Sequence, residues 1–339
     1  MSMFKQNMAI DLGSANIRIC TDVKDVALTQ PSSISVRKET GEIVAIGGKS
    51  KKIDGKTEEG IETIKPIKNG EISEYTITVS ITGTLMDEAV KNPLRRLLRP
   101  DVMTAYHCNT TSVGKRATER ALKEAGAGRI FFVETPIASA VGANLDISSE
   151  KGKMIVNIGA EITDIAVISF NGIVTSESVP VGGTTFDNAV KNYFKKEHKM
   201  ILSDNMAENI KINYLCVSRD ERVDPFEVSA IELQSRLPIE KTVKPDELVK
   251  PLNEAITPIL DSIRNVLERT PPELVTDIFE RGITLTGGGS KLAGLDSLIS
   301  ITTGIDTTVI NNPEKCVVLG CMKLLNEMSN DRKNELMNT

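Results

Sequence analysis

The sequence predicts an α/β protein made of two duplicated lobes. A strand-and-turn motif occurs twice, and the strand–strand–helix order that follows the first copy also follows the second. A chain of 339 residues is long enough for two domains, at roughly 150 residues each. In the first copy, Met8-Ala9-Ile10-Asp11-Leu12 runs into the small turn Gly13-Ser14-Ala15-Asn16 and on into Ile17 to Cys20. The second copy is Met154-Ile155-Val156-Asn157-Ile158-Gly159-Ala160-Glu161-Ile162-Thr163-Asp164, continued by Ile165 to Ile168. Asp11 aligns with Asn157 and Gly13 with Gly159, so the second copy has lost the charge of the first. A hairpin turn of small residues presents backbone N–H groups that clamp phosphate. Two such turns would hold a nucleotide phosphate chain from both sides. Asp11 would hold Mg²⁺ through water, because a hard cation prefers carboxylate oxygen. One copy alone would read as an ordinary hairpin with an Asp-x-Gly turn; the repetition is what points to phosphate.

Composition narrows the function classes. Hydrophobic residues make up 40% of the chain and aromatics only 4%, with no Trp, so the cores are built from Ile, Val, Leu and Ala. The net charge of -5 argues against nucleic acid as a partner, since no broad basic field is implied. Cys20, Cys108, Cys216, Cys316 and Cys321 form no C-x-x-C pair, which fits buried thiols in a reducing cytoplasm. His107 and His198 lack partners at metal-ligand spacing. No basic segment leads into an apolar stretch at the N-terminus, and no run is long enough to span a bilayer. A cytoplasmic protein is expected.

Along the first half, Pro31 to Val36 and Ile43 to Ile46 read as strands, and the lysine-rich Lys49 to Gly60 as a solvated loop. Thr82 to Leu98 has helical spacing at Leu85, Met86, Ala89 and Val90 until Pro93 interrupts it. Val102 to Tyr106 is a strand, and Val113 to Ala125 an amphipathic helix with Ser112 as N-cap and Gly126 as stop. Ile130 to Val133 is a buried strand ending in Glu134-Thr135-Pro136, followed by a small-residue helix from Ile137 to Ala143. In the second half, Asp187 to Lys196 is a helix and Leu202 to Pro251 a polar inserted subdomain. Leu252 to Leu267 is a long helix. Strand Gly282 to Thr286 runs into Gly287-Gly288-Gly289-Ser290 ahead of a helix from Leu292 to Ile301. A lone glycine-rich turn says little; here it stands where a third nucleotide-facing loop is needed.

These residues resemble the bacterial actin MreB family, within the actin and heat-shock chaperone ATPase superfamily. The resemblance spans about residues 8 to 326. It is carried by the Asp11 to Asn16 turn, Ile64-Lys65-Pro66-Ile67-Lys68-Asn69-Gly70, Asn171-Gly172-Ile173-Val174-Thr175-Ser176 and Ala207-Glu208-Asn209-Ile210-Lys211. The most specific stretch is Thr270-Pro271-Pro272-Glu273-Leu274, continuing through Asp277-Ile278 and Arg281 to Gly289. The resemblance implies an actin-like fold, two ribonuclease H-like lobes around an ATP cleft. Lobe I would take residues 1–142 and 320–339, with a smaller subdomain near 32–75. Lobe II would take 143–319, with a smaller inserted subdomain near 183–251.

The resemblance also implies ATP or ADP with Mg²⁺ as cofactors and head-to-tail filaments of the chain with itself. Other MreB paralogues and the inner face of the cell membrane follow as partners, and a cytoskeletal role in cell shape or motility as the function. Carried over by position, Asp11, Gly13, Ser14, Ala15 and Asn16 form the first phosphate loop, and Asn157, Gly159, Ala160 and Glu161 belong to the second. Glu208 and Lys211 stand beside ribose and adenine, and Gly287, Gly288, Gly289 and Ser290 under the base. Spacing alone would make Glu208 and Lys211 an i,i+3 pair on an exposed helix.

Several positions depart from the family pattern. The second loop of MreB proteins reads Asp-Ile-Gly-Gly-Gly-Thr-Thr, where this chain has Asn157-Ile158-Gly159-Ala160-Glu161-Ile162-Thr163. Asn157 supplies no second negative charge near Mg²⁺, and Glu161 weakens phosphate binding if it faces the ligand. Glu-Glu-Pro has become Glu134-Thr135-Pro136, so a water-polarising glutamate is replaced by Thr135 and its helper threonine by Ile162. Phosphoryl transfer rests on placing a water and stabilising charge. At most a slow ATPase is therefore expected. In Lys91 to Pro100, Leu94, Leu97 and Leu98 interleave with Arg95, Arg96 and Arg99. That pattern fits a membrane-contacting loop, as MreB proteins have in this region, or a helix end whose leucines complete the core. A small-molecule kinase of the same superfamily is the alternative function, although such a kinase would keep a carboxylate at Asn157.

Overall fold

A computed structural model of the chain describes residues 6–22, 24–54, 60–90, 99–217 and 224–328. The chain divides into two units. Unit 1 comprises residues 1–150, 169–173 and 314–339, and unit 2 residues 151–168 and 174–313.

The sheet of unit 1 contains β1 (Asn7–Leu12), β2 (Asn16–Thr21), β3 (Lys24–Pro31), β9 (Asp101–Tyr106) and β10 (Ile130–Glu134) in the order β10-β9-β1-β2-β3. β1 pairs antiparallel with β2 and parallel with β9, and β9 pairs parallel with β10. In unit 2 the strands are β11 (Lys153–Ile158), β12 (Thr163–Ser169), β13 (Gly172–Val179), β17 (Ile283–Thr286) and β18 (Thr307–Val309), ordered β13-β12-β11-β17-β18. β11 pairs antiparallel with β12 and parallel with β17. The two orders are one topology used twice, so the repeated motif in the sequence is a repeated sheet in the structure.

Alternation explains the packing. In β1 and β2, Met8, Ile10, Ile17 and Ile19 are fully buried against Ile81, Leu85, Met86 and Leu122. In unit 2, Met154, Val156, Ile165 and Val167 pack with Phe186, Val190, Phe194, Ile256, Ile259 and Ile263. Burying a side chain of this size contributes about 1.5–3 kcal/mol. Unit 2 adds a small sheet of β14 (Met200–Ile201), β15 (Phe226–Glu232) and β16 (Pro238–Val243) within the stretch read as an inserted subdomain.

Several element boundaries differ from the sequence reading. The helix expected from Thr82 begins earlier, at Tyr75, and runs to Ala89, while the rest of that expectation, 91–98, lies outside the described residues. Its first turns are rich in hydroxyl residues, which favour turns over helices. Here Thr78, Ser80 and Thr84 satisfy their hydroxyls on carbonyls four residues back. Part of the expected lysine-rich loop is a short helix, Gly48–Ile53, anchored by buried Ser50 bonding to Ser35. Thr111, not Ser112, caps the helix Ser112–Glu124, accepting from the Gly114 N–H at 3.0 Å. The strand read from Pro31 to Val36 is two strands, broken where the Ser32 N–H turns to the Ala15 carbonyl; the second is β4 (Ile34–Arg37). The long helix runs Asp246–Glu268, straight through Pro251 and Pro258. Acidic Asp246 and Glu247 favour its N-terminus, and buried Leu248, Leu252, Ile256 and Ile259 hold its face to the core. The helix read over Leu292 to Ile301 starts three residues later, as Leu295–Thr303, and a short 3-10 turn, Gly288–Lys291, precedes it. Gly294, at a φ of 74°, separates them.

The tightest helix contact in unit 1 joins Thr135–Gly142 to Cys316–Glu327. A Cβ on Gly142 would lie 1.8 Å from the Cys316 carbonyl oxygen, and one on Gly320 would lie 1.8 Å from that of Ala138. The glycines let two backbones touch. Gly320→Ala is expected to lower unfolding free energy by about 2–3 kcal/mol, the cost of overpacking a closed contact. A denaturant titration checks it by a fall in midpoint with unchanged slope.

Candidate functional site

In unit 1, the turn between β1 and β2 closes because Gly13 has no side chain. A Cβ there would meet the Asn16 carbonyl oxygen at 2.7 Å. Ser14 is buried and its hydroxyl takes the Gly70 N–H at 3.5 Å, while the Ala15 carbonyl takes the Ser32 N–H at 2.8 Å. The turn is thus tied on both sides by neighbouring loops. Asp11, the last polar residue of β1, lies directly opposite Arg18 on β2, and the Arg18 Nη1 stands 3.3 Å from Asp11 Oδ2. Burial raises the Asp11 pKa above the ordinary carboxylate value, opposed first by Arg18 and then by His107.

The parallel strands β9 and β10 end at the same edge as β1, which is where α/β sheets place their ligands. At that edge the Tyr106 hydroxyl donates to Glu134 Oε1 at 2.7 Å, and the Lys115 ammonium sits 3.4 Å from the centre of the Tyr106 ring. Burial, with the Glu134 carboxylate beside it, drives the Tyr106 pKa upward. Thr135 is buried in the first turn of its helix, followed by Pro136.

In unit 2 the second turn repeats the first. A Cβ on Gly159 would meet the Ile162 carbonyl oxygen at 2.7 Å, and the Gly159 N–H donates to that carbonyl at 2.8 Å. The Ile162 side chain is buried. Asn157 is buried and its Oδ1 accepts from the Thr286 hydroxyl at 3.2 Å. The turn also meets the N-terminus of the helix Gly183–Glu197. The Gly183 N–H donates to the Gly159 carbonyl at 3.0 Å and the Thr184 N–H to the Ala160 carbonyl at 2.7 Å. A Cβ on Gly287 would lie 2.2 Å from the Ile158 carbonyl oxygen, and one on Gly289 would lie 2.5 Å from Ile158 Cγ2. Gly287 has a φ of 82°, and Ser290 closes the turn by donating to the Gly287 carbonyl at 2.7 Å. Gly287 and Gly289 let this loop seat closely against the Ile158–Gly159 backbone of the second turn.

Lys211, on the helix Asp204–Tyr214, reaches the same place. Its ammonium lies 2.8 Å from Asp187 Oδ1 and donates to the Gly183 carbonyl at 3.1 Å. Beyond the i,i+3 neighbour Glu208 that spacing offers, burial beside the Gly183 turn gives Lys211 the Asp187 carboxylate as a partner. Burial raises the Asp187 pKa, with Lys211 as the main opposing charge. Unit 2 therefore gathers Asn157, Gly159, Ala160, Lys211 and the Gly287 to Ser290 turn, and unit 1 gathers Asp11 to Asn16. Leu94, Leu97 and Leu98 lie outside the described residues. Arg18, Asp187 and Glu134 were not among the sequence candidates. For Arg18 a signal existed: a charge between Ile17 and Ile19, at the hairpin position facing Asp11.

A family profile described as MreB/Mbl protein matches residues 5–333. The chain is 34% identical to the cell shape-determining protein Mbl of Bacillus subtilis over 98% of its own length and all of that protein. It is 35% identical to the cell shape-determining protein MreB of Escherichia coli K12 over 95% of its own length and 94% of that protein. The chain belongs to the MreB/Mbl family. Its actin-like fold is equally plain. MreB5 of Spiroplasma citri bound to ADP superposes with a TM-score of 0.90 at 25% identity, over 99% of both chains. The same protein bound to AMPPNP gives 0.89 at 26% identity, over 98% of both. A MamK double helical filament shares the fold at a TM-score of 0.79 and 16% identity, over 96% of this chain and all of that one. Within the described residues of this MreB/Mbl member, no helix is long and apolar enough to cross a membrane.

The Lys211–Asp187 pair gives a direct test of how the second turn is held. With side chains only 15% and 17% exposed, removing one partner strands a buried charge. Lys211→Met is expected to cost about 3 kcal/mol of stability, and adding Asp187→Asn to recover a large part of it. Unfolding free energies of the two single variants and the double variant decide it.

Proposed function

We propose that this chain is a nucleotide-binding actin-type subunit that assembles head to tail with copies of itself, serves cell shape, and hydrolyses ATP slowly. The reading is carried by the convergence, within unit 2, of three structures on one turn. The Gly159–Ala160 carbonyls take the N–H groups that open the helix Gly183–Glu197, the Gly287 to Ser290 turn packs on Ile158, and Lys211 reaches the Gly183 carbonyl. The opening N–H groups of the helix are taken by these carbonyls, so the helix holds the turn in place, and the positive end of its dipole favours an anion beside it. The relatives from Spiroplasma citri hold ADP and AMPPNP, and Mbl and MreB are named for determining cell shape. Self-assembly is supported by the MamK double helical filament of the same fold.

Slow hydrolysis follows from chemistry. Thr135 and Ile162 stand where the family keeps groups that position water. Thr135 is a feeble base, and the buried Ile162 side chain offers no polar atom. Losing one such group costs about 10²–10⁴-fold. Glu161, half-buried at the second turn, weakens the binding of an anionic ligand if its carboxylate faces that ligand and changes little if it points away.

Two measurements test the proposal. Pelleting and negative-stain microscopy over a concentration series should show filaments above a critical concentration; a protein that stays monomeric with ATP, ADP or no nucleotide at tens of micromolar would refute self-assembly. Thr135→Glu combined with Ile162→Thr should raise phosphate release by about 10²-fold or more over the parent. Unchanged release in a variant that still binds a fluorescent ATP analogue would remove those two positions from the account.

A further inference from the structure

The duplicated hairpins carry different charges at matching positions. In unit 1 the strand-end residue is Asp11, and the residue facing it across the β1–β2 pair is Arg18. In unit 2 the strand-end residue is Asn157, and the residue facing it is Asp164, fully buried with its Oδ1 taking the Ser178 hydroxyl at 2.5 Å. The first hairpin has thus a carboxylate with a cation already upon it. The second has an amide whose oxygen takes the Thr286 hydroxyl, with its carboxylate tied inside the sheet.

Arg18 is built into place. Residues directly opposed across an antiparallel pair put their side chains on one face of the sheet, and the flanking Ile17 and Ile19 are fully buried on the other. The Arg18 and Asp11 side chains are 13% and 20% exposed. The Arg18 Nε is buried and makes no hydrogen bond within the protein, so the guanidinium has donor capacity beyond Asp11. A guanidinium stays charged at any working pH and matches carboxylate and phosphate alike.

These residues do not suit a tightly held Mg²⁺. A hard dication kept through its waters needs carboxylates whose charge is uncommitted. A dication brought to Asp11 would sit a few ångströms from Arg18 and meet twice the repulsion that a single charge would.

We propose that Arg18 supplies, at the first phosphate turn, much of the positive charge that a divalent cation would bring, so that this chain binds nucleoside di- and triphosphates with little dependence on Mg²⁺. The inference rests on the nucleotide reading above and adds to it a residue and a cation requirement. Asp11 then acts as a positioning residue that holds the guanidinium at the turn.

The test uses the whole chain and a fluorescent ADP analogue, titrated once in Mg²⁺ and once in EDTA, with Mn²⁺ followed by electron paramagnetic resonance as a direct metal probe. The parent should bind with affinities within about threefold of each other in the two buffers, and should retain no tightly held Mn²⁺. Arg18→Leu frees Asp11 and should open the gap to about tenfold or more, the scale of one lost charge-assisted contact, with bound Mn²⁺ now visible. Adding Asp11→Asn should close the gap again, and Arg18→Lys, which keeps the charge, should behave as the parent. A parent that loses tenfold or more in EDTA and holds Mn²⁺ overturns the inference without any variant. So does an Arg18→Leu protein that binds and shows the parent's gap. Absence of saturable binding in both buffers would instead remove the nucleotide reading itself.

Discussion

Neither hairpin tolerates a side chain at its first turn position, and the working edge of each unit depends on that. Gly13 sits under the Asn16 carbonyl and Gly159 under the Ile162 carbonyl, each at 2.7 Å from where a Cβ would be. The tight reversal lets the central strand end abruptly, with its last polar residue at the edge. In unit 1 the parallel neighbours deliver Tyr106 and Glu134 to that edge beside Asp11. In unit 2 parallel pairing brings Thr286 against Asn157, so that the Gly287 to Ser290 turn begins there. One steric rule, applied twice, determines where chemistry can occur.

Above this shared backbone the copies have diverged in charge. The first edge carries two polar groups, the Asp11–Arg18 pair and Tyr106 with Glu134 and Lys115. The second is held mostly by backbone: carbonyls of Gly159 and Ala160 answered by N–H groups of the next helix, and Lys211 anchored to Asp187. A site held by main-chain groups survives changes of side chain, which is how Asn157, Ala160 and Glu161 can replace other residues without dismantling the turn. Hydrolysis has no such protection, because it needs particular side chains at particular atoms.

Much of this was legible in the sequence, for physical reasons. Period-two alternation in Met8 to Ile19 and in Met154 to Ile168 marks strands with one buried face, and the glycine between each pair marks the turn. The family match follows from motifs spread along the chain. What stayed hidden depended on tertiary partners. Tyr75 to Ile81 looks unhelical until its hydroxyls find carbonyls in their own helix. Pro251 reads as a break, yet buried Leu248 and Leu252 carry the helix through it. Lys211 has Glu208 three residues away in the chain, and only the fold offers it Asp187. Arg18 shows the reverse: its partner was fixed by hairpin register alone, and a count across the turn would have found it.

The contact between Gly142 and Gly320 bears on how the chain is made. Unit 1 is closed by Cys316–Glu327, the last described helix, packed on Thr135–Gly142. Unit 2 is finished in sequence before that helix begins. At about 5–20 residues per second of synthesis, the emerging first lobe waits on the order of ten seconds or longer with an open face on its central sheet. Synthesis of unit 2 fills that interval, and its last residues are made immediately before the closing helix. The lobe begun first is therefore completed last, and until then its central sheet lacks the helix that packs on it.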